Sequence, residues 1–489
     1  MANIITPLCV GIDFGTSNCA AFLPSGNLDA EPVPLEGESM LMPSVMFVTR
    51  KEIATRQIQQ TEFTRRLKNA KTAEAKLDPE RRARGEELAK QVEEAMRREL
   101  AQEAERQYWD QSFFSMLNSG QAALYGSPAM KAYVREPMSG ALVRSPKSFI
   151  GSNLAPYQID GFAATIGSML AHIKERCEAW SGREIRRAII GRPVNYSGVD
   201  SQRANAKAID AMERAAMLAG FDAVDFYLEP VAAALAFEQS LDREAKALVI
   251  DIGGGTTDCA IIRLGPSFVG NFDRSPDVLS SAGSRVGGTD FDYSLAWAHI
   301  MPLLGKGVLG RRGELLPIGS FVDAISIFDV PAQIRFNSRD NRYTLESLVK
   351  QSQQPVLVRR LLKLYDGQLQ YRLMNSSEMT KVKLSSKARC TTPLHYIEED
   401  LKVDSTIKDL AESAVRCLDQ IDAVIGEALA GAGALPDAVF ITGGMGYSPI
   451  VREHIAEKLG AEIPIHFGDM LGSVGKGLGL QAAKIQDSL

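Results

Sequence analysis

The chain has 489 residues, of which 45% are apolar and 24% charged, and it carries a net charge of −5. This composition is typical of a well-buried globular protein and excludes a chain that is disordered throughout. The small net charge also argues against DNA or RNA as the main partner, because there is no basic excess to neutralise phosphates.

The sequence contains no clear targeting segment and no cysteine pattern that indicates a disulfide or metal site. Residues 1–10 lack the basic segment and long apolar run of a signal peptide, and no later stretch approaches the ~20 apolar residues that span a bilayer. The six cysteines are scattered without a Cys-x-x-Cys pair, which supports neither a zinc site nor a disulfide framework. We therefore expect a cytoplasmic protein with no membrane partner.

The first predicted element is a β-hairpin near the N-terminus. An apolar run ends at Asp13, a glycine-containing turn follows, and a second apolar run begins. The same pattern returns at residues 248–260, where Asp251 takes the place of Asp13. The two turns consist of Gly15, Thr16, Ser17 and Asn18, and of Gly253, Gly254, Gly255 and Thr256. This internal repeat predicts two homologous lobes, residues 1–245 and 246–489.

Each lobe is predicted to carry an insertion, at about residues 51–135 and 300–371. Residues 51–108 are dense in Glu, Arg, Lys and Ala, and a narrow apolar stripe with a spacing of four predicts helix, broken at Asp78-Pro79. The plain interpretation is a solvated helical excursion. The functional alternative is a docking surface for a protein partner.

The two glycine turns predict an anion site. Turns of this kind let backbone N–H groups converge on a phosphate without a Cβ in the way. Asp13 and Asp251 would lie beside the phosphates, which requires a cation, and Mg²⁺ with retained waters fits. No G-x-x-x-x-G-K-[ST] occurs, so this is not a P-loop.

A third glycine motif lies at residues 439–449. It predicts a strand, a loop containing Gly443 and Gly444, and a helix capped by Ser448 that starts at Pro449 and stops at Gly460. These glycines would let a flat ring lie against the backbone. Alone, the motif is equally typical of any α/β crossover.

Together these motifs resemble the nucleotide-binding domain of the heat shock protein 70 family over nearly the full length. Finer features, such as residues 301–305 and 329–333, resemble its bacterial YegD-like subgroup. Four further segments carry the family resemblance: Ser145–Gly151, Leu228–Ala236, Val286–Asp292 and Glu378–Ser386.

The resemblance implies an α/β, two-lobed, actin-like (ribonuclease H-like) ATPase fold, each lobe with a mixed sheet flanked by helices. It implies ATP or ADP with Mg²⁺ bound between the lobes through Asp13 and Asp251. The implied catalytic residues are Lys147 by the γ-phosphate, Glu229 and Asp258 orienting the attacking water, and Thr256. The implied nucleotide-binding residues, besides the two turns, are Gly287, Gly288, Glu378, Lys381, Ser385, Gly443, Gly444 and Tyr447.

The chain also departs from the family pattern. Val382 and Tyr447 stand where the family has two arginines that sandwich the adenine, so we expect weaker or less adenine-selective binding. Insertions surround the segment at Asp200, which resembles the family's interdomain signalling segment. The sequence ends at Leu489, where the family's peptide-binding domain would follow. We therefore expect no direct binding of unfolded peptides, and a partner that docks on the helical insertions.

The leading hypothesis is a slow Mg-ATPase whose lobe closure is sensed by a partner protein. One alternative is an actin-like filament or scaffold protein in which ATP sets the polymer state. Another is a small-molecule kinase of the same superfamily. Water as the acceptor fits Lys147 and Glu229 better than a kinase substrate does.

Overall fold

The computed structural model describes residues 7–26, 29–49, 60–77, 87–100, 123–196, 201–271, 273–460, 462–469 and 472–488. The predicted break at Asp78-Pro79 and the signalling residue Asp200 lie outside these ranges. The strands are β1 (Leu8–Phe14), β2 (Asn18–Gly26), β3 (Asp29–Pro32), β4 (Leu41–Pro43), β5 (Val45–Thr49), β6 (Ala123–Tyr125), β7 (Gly140–Arg144), β8 (Ile185–Arg192), β9 (Ala223–Leu228), β10 (Ala245–Ile252), β11 (Thr257–Leu264), β12 (Val278–Ser284), β13 (Arg389–Pro393), β14 (Lys402–Thr406), β15 (Ala438–Thr442) and β16 (Ile465–Phe467).

The helices frame these strands. They are α1 (Gln60–Leu77), α2 (87–100), α3 (Gly126–Arg135), α4 (Lys147–Ile150), α5 (Pro156–Ser181), α6 (Ser201–Leu218), α7 (Glu229–Glu238), α8 (Gly288–Leu295), α9 (Gly319–Ile325), α10 (Val330–Asn337), α11 (Arg339–Gln351), α12 (Pro355–Asp366), α13 (Gln370–Leu384), α14 (Ile407–Ser413), α15 (Val415–Ala432), α16 (Pro449–Leu459) and α17 (Ser473–Ser488). Among the described residues, no helix is both long and apolar enough to cross a membrane.

The first lobe is built on a mixed sheet with the order β3-β2-β1-β8-β9, and β4 also pairs with β2. Strand β1 is antiparallel to β2 and parallel to β8. Its alternate residues Val10 and Ile12 face the core shared with α5 and α6. On the other face Cys9 joins the core shared with α7 and α17. Both faces are therefore covered, as the continuous apolar runs require.

The second lobe repeats this plan with the order β12-β11-β10-β15-β16. Here β10 is antiparallel to β11 and parallel to β15. Helix α15 contributes to the core on one face, and α7 packs on the other. The prediction of two lobes, each with a mixed sheet flanked by helices, is confirmed.

Helix α17 fastens the end of the described chain to the first lobe. It packs so closely on β1 that a Cβ added at Gly11 would lie 2.3 Å from the backbone nitrogen of Gly479. A Cβ at Gly477 would lie 1.8 Å from the carbonyl oxygen of Ala232 in α7. Glycine is required at these crossings because the backbones touch. The two lobes thus share a central core with α7 and α17 between the sheets.

Two smaller bodies flank the lobes. Strands β6-β5-β7 and α3 enclose a small core that includes Phe47 and Tyr133. In the second lobe α10 to α13 join a larger helical core around Phe336 and Tyr365. Helices α1 and α2 are linked by an ion pair between Arg66 and Glu99.

Candidate active site

The site begins with the two hairpin turns, which share one local geometry. In the first, the Gly15 N–H donates to the Asn18 carbonyl over 3.1 Å, and in the second the Gly253 N–H donates to Thr256 over 3.0 Å. The turns meet tip to tip across the lobes. A Cβ at Gly254 would lie 2.2 Å from Ser17 Oγ, so a side chain there would push the lobes apart.

A cleft of about 350 Å³ opens between the lobes at this meeting point, a size suited to a small-molecule ligand. Predicted site residues that line it are Asp13, Gly15, Thr16, Ser17, Asn18, Lys147, Glu229, Asp251, Gly253, Gly254, Gly255, Thr256, Gly288, Glu378, Lys381, Gly443, Gly444 and Tyr447. Asp258, Gly287 and Ser385 are not among the lining residues. Val382, one of the two departures, does line the cleft.

Lys147 and Glu229 form a buried ion pair at the inner end of the cleft. Their side chains are 6% and 10% exposed, and the Lys147 ammonium also donates to the Gly191 carbonyl over 3.1 Å. Burial opposes the charged amine, but Glu229, with contributions from Tyr196 and Asp13, outweighs it and raises the pKa of Lys147. Glu229 is the first residue of α7, where Pro230 follows within the first turn.

The turn that presents Lys147 is fastened to the first hairpin. Ser145 has a positive φ of 54°, which is uncommon outside glycine. Its hydroxyl donates to the Thr16 carbonyl over 2.5 Å, and its N–H donates to Ser44 over 2.8 Å. These bonds hold the strained residue in place and tie the turn that carries the lysine to the first hairpin turn.

Buried carboxylates crowd the floor of the cleft and the layer directly beneath it, where Asp258 lies. Burial, with repulsion from Glu229, raises the pKa of Asp13 to about 7. The same two causes raise the pKa of Asp258 to about 7 and that of Asp251 well above its usual range. Asp251 and Asp258 face each other across the β10–β11 hairpin. Such a cluster is costly without a counter-charge.

A magnesium ion fits this donor set. Asp13 and Asp251 stand at corresponding positions of the two hairpins, and both line the cleft. Within the described part of the chain, no group of three or more His, Cys, Asp or Glu side chains could hold a metal ion. A cation here would therefore keep water ligands, as Mg²⁺ commonly does.

The third glycine motif closes one side of the cleft. Gly443 has a φ of +82°, and a Cβ there would lie 2.3 Å from the Ile252 carbonyl oxygen. Helix α16 starts at Pro449 and ends at Leu459, before Gly460, as predicted. The prediction that Ser448 caps it was wrong for the side chain. Ser448 occupies the cap position, but its hydroxyl is buried and bonds no N–H of the helix.

The predicted nucleoside-binding residues lie on α13 or directly after it, and two of them have ion partners. Lys381 donates to the Gly288 carbonyl over 2.7 Å and pairs with Asp292 at 2.9 Å. Glu378 pairs with Arg144 of the first lobe. Ser385 follows the end of α13, outside the cleft lining, and its hydroxyl faces the Lys381 carbonyl at 3.4 Å.

Sequence reasoning missed several side chains of the cleft. Arg285 lines it and donates across the lobes to the Ser148 carbonyl over 3.1 Å. Tyr196 lines it and presents a buried hydroxyl. Asp292 lies in the segment that carried the resemblance, but its ion pair with Lys381 appears only in the structure. Arg144 and Tyr196 have no motif of their own.

The fold and the cleft define a two-lobed protein of the actin-like ATPase class. Residues 139–305 match the family model of the Hsp70 protein. This match supports the presence of an Hsp70-family nucleotide-binding domain in the chain.

Curated relatives agree with this assignment. The chaperone protein DnaK of Thermosipho melanesiensis is 27% identical over 360 residues, which are 69% of this chain and 48% of the relative. DnaK of Endomicrobium trichonymphae is 33% identical over 190 residues, 38% of this chain and 28% of the relative. The chain thus aligns with half or less of the length of these relatives. The likeness to the YegD-like subgroup stays a prediction.

Proposed function

We propose that the chain binds Mg-ATP in the cleft, hydrolyses it slowly, and transmits the accompanying lobe closure to a protein partner. The observation that carries this proposal is the placement of Lys147 and Glu229 beside two phosphate-type turns that meet across the lobes. The match to the Hsp70 family model and the DnaK relatives, which are chaperones by name, support the same function.

Each group of residues has its own role in the proposed phosphoryl transfer. The backbone N–H groups of the two turns would hold the β- and γ-phosphates, and the Lys147 ammonium would neutralise charge on the γ-phosphate. Glu229 and Asp258 would orient the attacking water. Mg²⁺, when held by Asp13 and Asp251, supplies charge neutralisation at the phosphates. Such catalysis consists mainly of positioning and electrostatics, which a preorganised cleft supplies.

Contacts between the lobes suggest how closure is coupled to nucleotide. The Arg144–Glu378 ion pair and the bond from Arg285 to Ser148 both cross the cleft. A nucleotide that touches both turns would favour the closed state by its extra contacts there. Helices α1 and α2 are the proposed surface on which a partner senses this change.

Lys147→Ala tests the function directly. We expect turnover of ATP to fall by about 100-fold or more while nucleotide binding survives, since one preorganised charge contributes that much. Lys408→Ala is the matched control, because Lys408 forms a surface pair with Glu412 and is 81% exposed. Equal turnover in the wild type and in Lys147→Ala would remove this lysine from the mechanism.

Folding must be separated from catalysis in this test. Lys147→Ala leaves Glu229 buried without its partner, which destabilises a fold by about 3–5 kcal/mol. The double variant Lys147→Met with Glu229→Gln removes both charges and should restore much of that stability without restoring turnover. A thermal melt of each protein with Mg-ATP checks binding, since ligand at ~100 times its Kd adds about 2.7 kcal/mol. Sedimentation with and without ATP tests the filament alternative.

A further inference from the structure

Tyr196 presents a hydroxyl on the wall of the cleft that the proposed function does not yet use. The residue is 5% exposed and lines the cleft together with Lys147 and Glu229. Its Oη is fully buried and has no hydrogen-bond partner among the described residues. Buried hydroxyls in folded proteins almost always have a partner, so this one points to a water or a ligand.

The position of Tyr196 is fixed by its neighbours. Its N–H donates to Asn205 Oδ1 over 2.8 Å, and Asn205 in turn donates to the Val194 carbonyl over 3.1 Å. Its backbone and Cβ lie against Gly151, where an added Cβ would come within 2.6 Å of the Tyr196 Cβ. These contacts fix the backbone and Cβ from which the phenol extends along the wall of the cleft.

Three of the four charged groups around the phenol, all except Arg192, are those of the proposed chemistry. Lys147, Glu229, Arg192 and Asp258 all act on it electrostatically, and burial raises the pKa of Tyr196 to about 12. The hydroxyl therefore keeps its proton at neutral pH and can donate a hydrogen bond.

A second unsatisfied atom lies in the same neighbourhood. Asp258 Oδ1 accepts from the Val194 N–H over 2.7 Å, and Oδ2 is buried. The Thr256 side chain also acts on this carboxyl as a hydrogen-bond donor and lowers its pKa, while Oδ2 has no hydrogen-bond partner among the described residues. One donor and one acceptor without partners are what an ordered water needs, since it bonds two to four polar atoms.

We propose that the Tyr196 hydroxyl and Asp258 Oδ2 together hold the water that attacks the γ-phosphate. This inference rests on the proposed ATP hydrolysis and adds a catalytic residue to it. The water donates one hydrogen to Asp258 and accepts one from Tyr196, which leaves a lone pair for phosphorus. Its oxygen bonds to the γ-phosphorus as the bond to the β–γ bridging oxygen breaks. ADP leaves with that electron pair, and both hydrogens remain on the inorganic phosphate.

A hydrogen bond donated to the nucleophile is compatible with this reaction. The transition state of phosphoryl transfer is loose in most accounts, so little bonding to the nucleophile has developed. Holding the water in line with the bond that breaks then contributes more to the rate than removing a proton from the water does.

Tyr196→Phe is the direct test, because it removes one oxygen and keeps the ring. We expect the single-turnover rate of Mg-ATP hydrolysis to fall about three- to tenfold, the effect of one neutral hydrogen bond. The Kd of Mg-ATP and the melting temperature should not change. Tyr365→Phe is the matched control, since this buried phenol lies in the helical core of the second lobe and donates to Ser338 over 3.1 Å.

A binding measurement distinguishes whether Tyr196 hydrogen-bonds the attacking water or a phosphate of the nucleotide. Mg-ADP with aluminium fluoride imitates the transferring phosphoryl group together with its attacking water. Tyr196→Phe should bind this combination about three- to tenfold more weakly than wild type, and Mg-ADP alone equally well. An equal loss of affinity for Mg-ADP would contradict the inference, since the hydroxyl would then serve ground-state binding.

The outcomes also separate the inference from the function on which it rests. A wild-type protein that hydrolyses no ATP contradicts both. A wild-type protein that hydrolyses ATP, with Tyr196→Phe equally fast, contradicts the assignment of Tyr196 alone.

Discussion

Removing the Arg144 side chain should speed the release of nucleotide from the cleft. Arg144 ends β7 in the first lobe, and its guanidinium pairs with Glu378 of α13 in the second. The pair joins the two lobes beside the cleft, which Glu378 lines. Separation of the lobes would open the cleft around a nucleotide held between the turns, so we expect that breaking this contact lowers the barrier to release.

The magnitude follows from the burial of the two side chains. Arg144 is 11% exposed and Glu378 24%, which places the pair between a surface ion pair and a fully buried one. Burial alone would raise the pKa of Glu378, yet Arg144 and Lys381 together outweigh it and the pKa is lowered. We expect Arg144→Met to lose about 1–2 kcal/mol of closed-state stability and to release nucleotide about 5- to 30-fold faster.

Stopped-flow displacement of a fluorescent ADP measures this rate. Arg187→Met is the control, because Arg187 pairs with Asp225 at 2.7 Å between two strands of the same sheet. Glu378→Gln and the double variant complete the cycle. If Glu378 serves only the ion pair, the double variant should match Arg144→Met, and an added loss of affinity would show that Glu378 also contacts nucleotide. Release that is unchanged in Arg144→Met would refute the reasoning.

Three further outcomes follow from the cleft and the core. Val382→Arg should tighten ATP binding about fivefold and raise the preference for adenine over guanine, because the new guanidinium can stack on the base. Calorimetry measures both affinities, and an unchanged affinity would mean that other contacts hold the base. Because burial raises the pKa of Asp258 to about 7, the folded state binds the extra proton, so apo stability should fall as pH rises from about 4 to 7. Asp258→Asn should flatten this dependence in urea unfolding at pH 5 and 7.5, and an unaltered slope would count against the shift. Arg274→Met should destabilise the fold by about 3–5 kcal/mol in urea, because it strands Glu238 and Asp277, and a change under 1 kcal/mol would contradict that burial.

The parts of the site that the sequence predicted are those set by local geometry. A hairpin fixes its own register, so Asp13 and Asp251 could be placed beside their turns from the glycine pattern. The bounds of α16 were predictable for the same reason, because Pro449 and Gly460 act on the residues next to them. Each of these inferences needed only a few consecutive residues.

The parts that escaped depend on contacts between distant segments. Arg144 and Glu378 are 234 residues apart, and Arg285 and Ser148 are 137 apart. No propensity or spacing rule links such positions, since only the tertiary fold brings them together. The hydroxyl of Tyr196 shows the same limit, because a Tyr in a loop has no pattern until burial leaves its oxygen without a partner.

The residues proposed to bind the nucleotide and to act on it are divided between the two lobes, so the reaction would depend on lobe closure. Lys147, Glu229 and Tyr196 belong to the first lobe, whereas Glu378 and Lys381 belong to α13 of the second. A nucleotide held only by the second lobe would therefore lie away from the groups proposed to act on its γ-phosphate. Hydrolysis would require both turns to bind the same phosphate chain. It would therefore occur only when the lobes are closed. Under the proposed function, a partner on the first-lobe insertion would then sense a state that bound nucleotide favours.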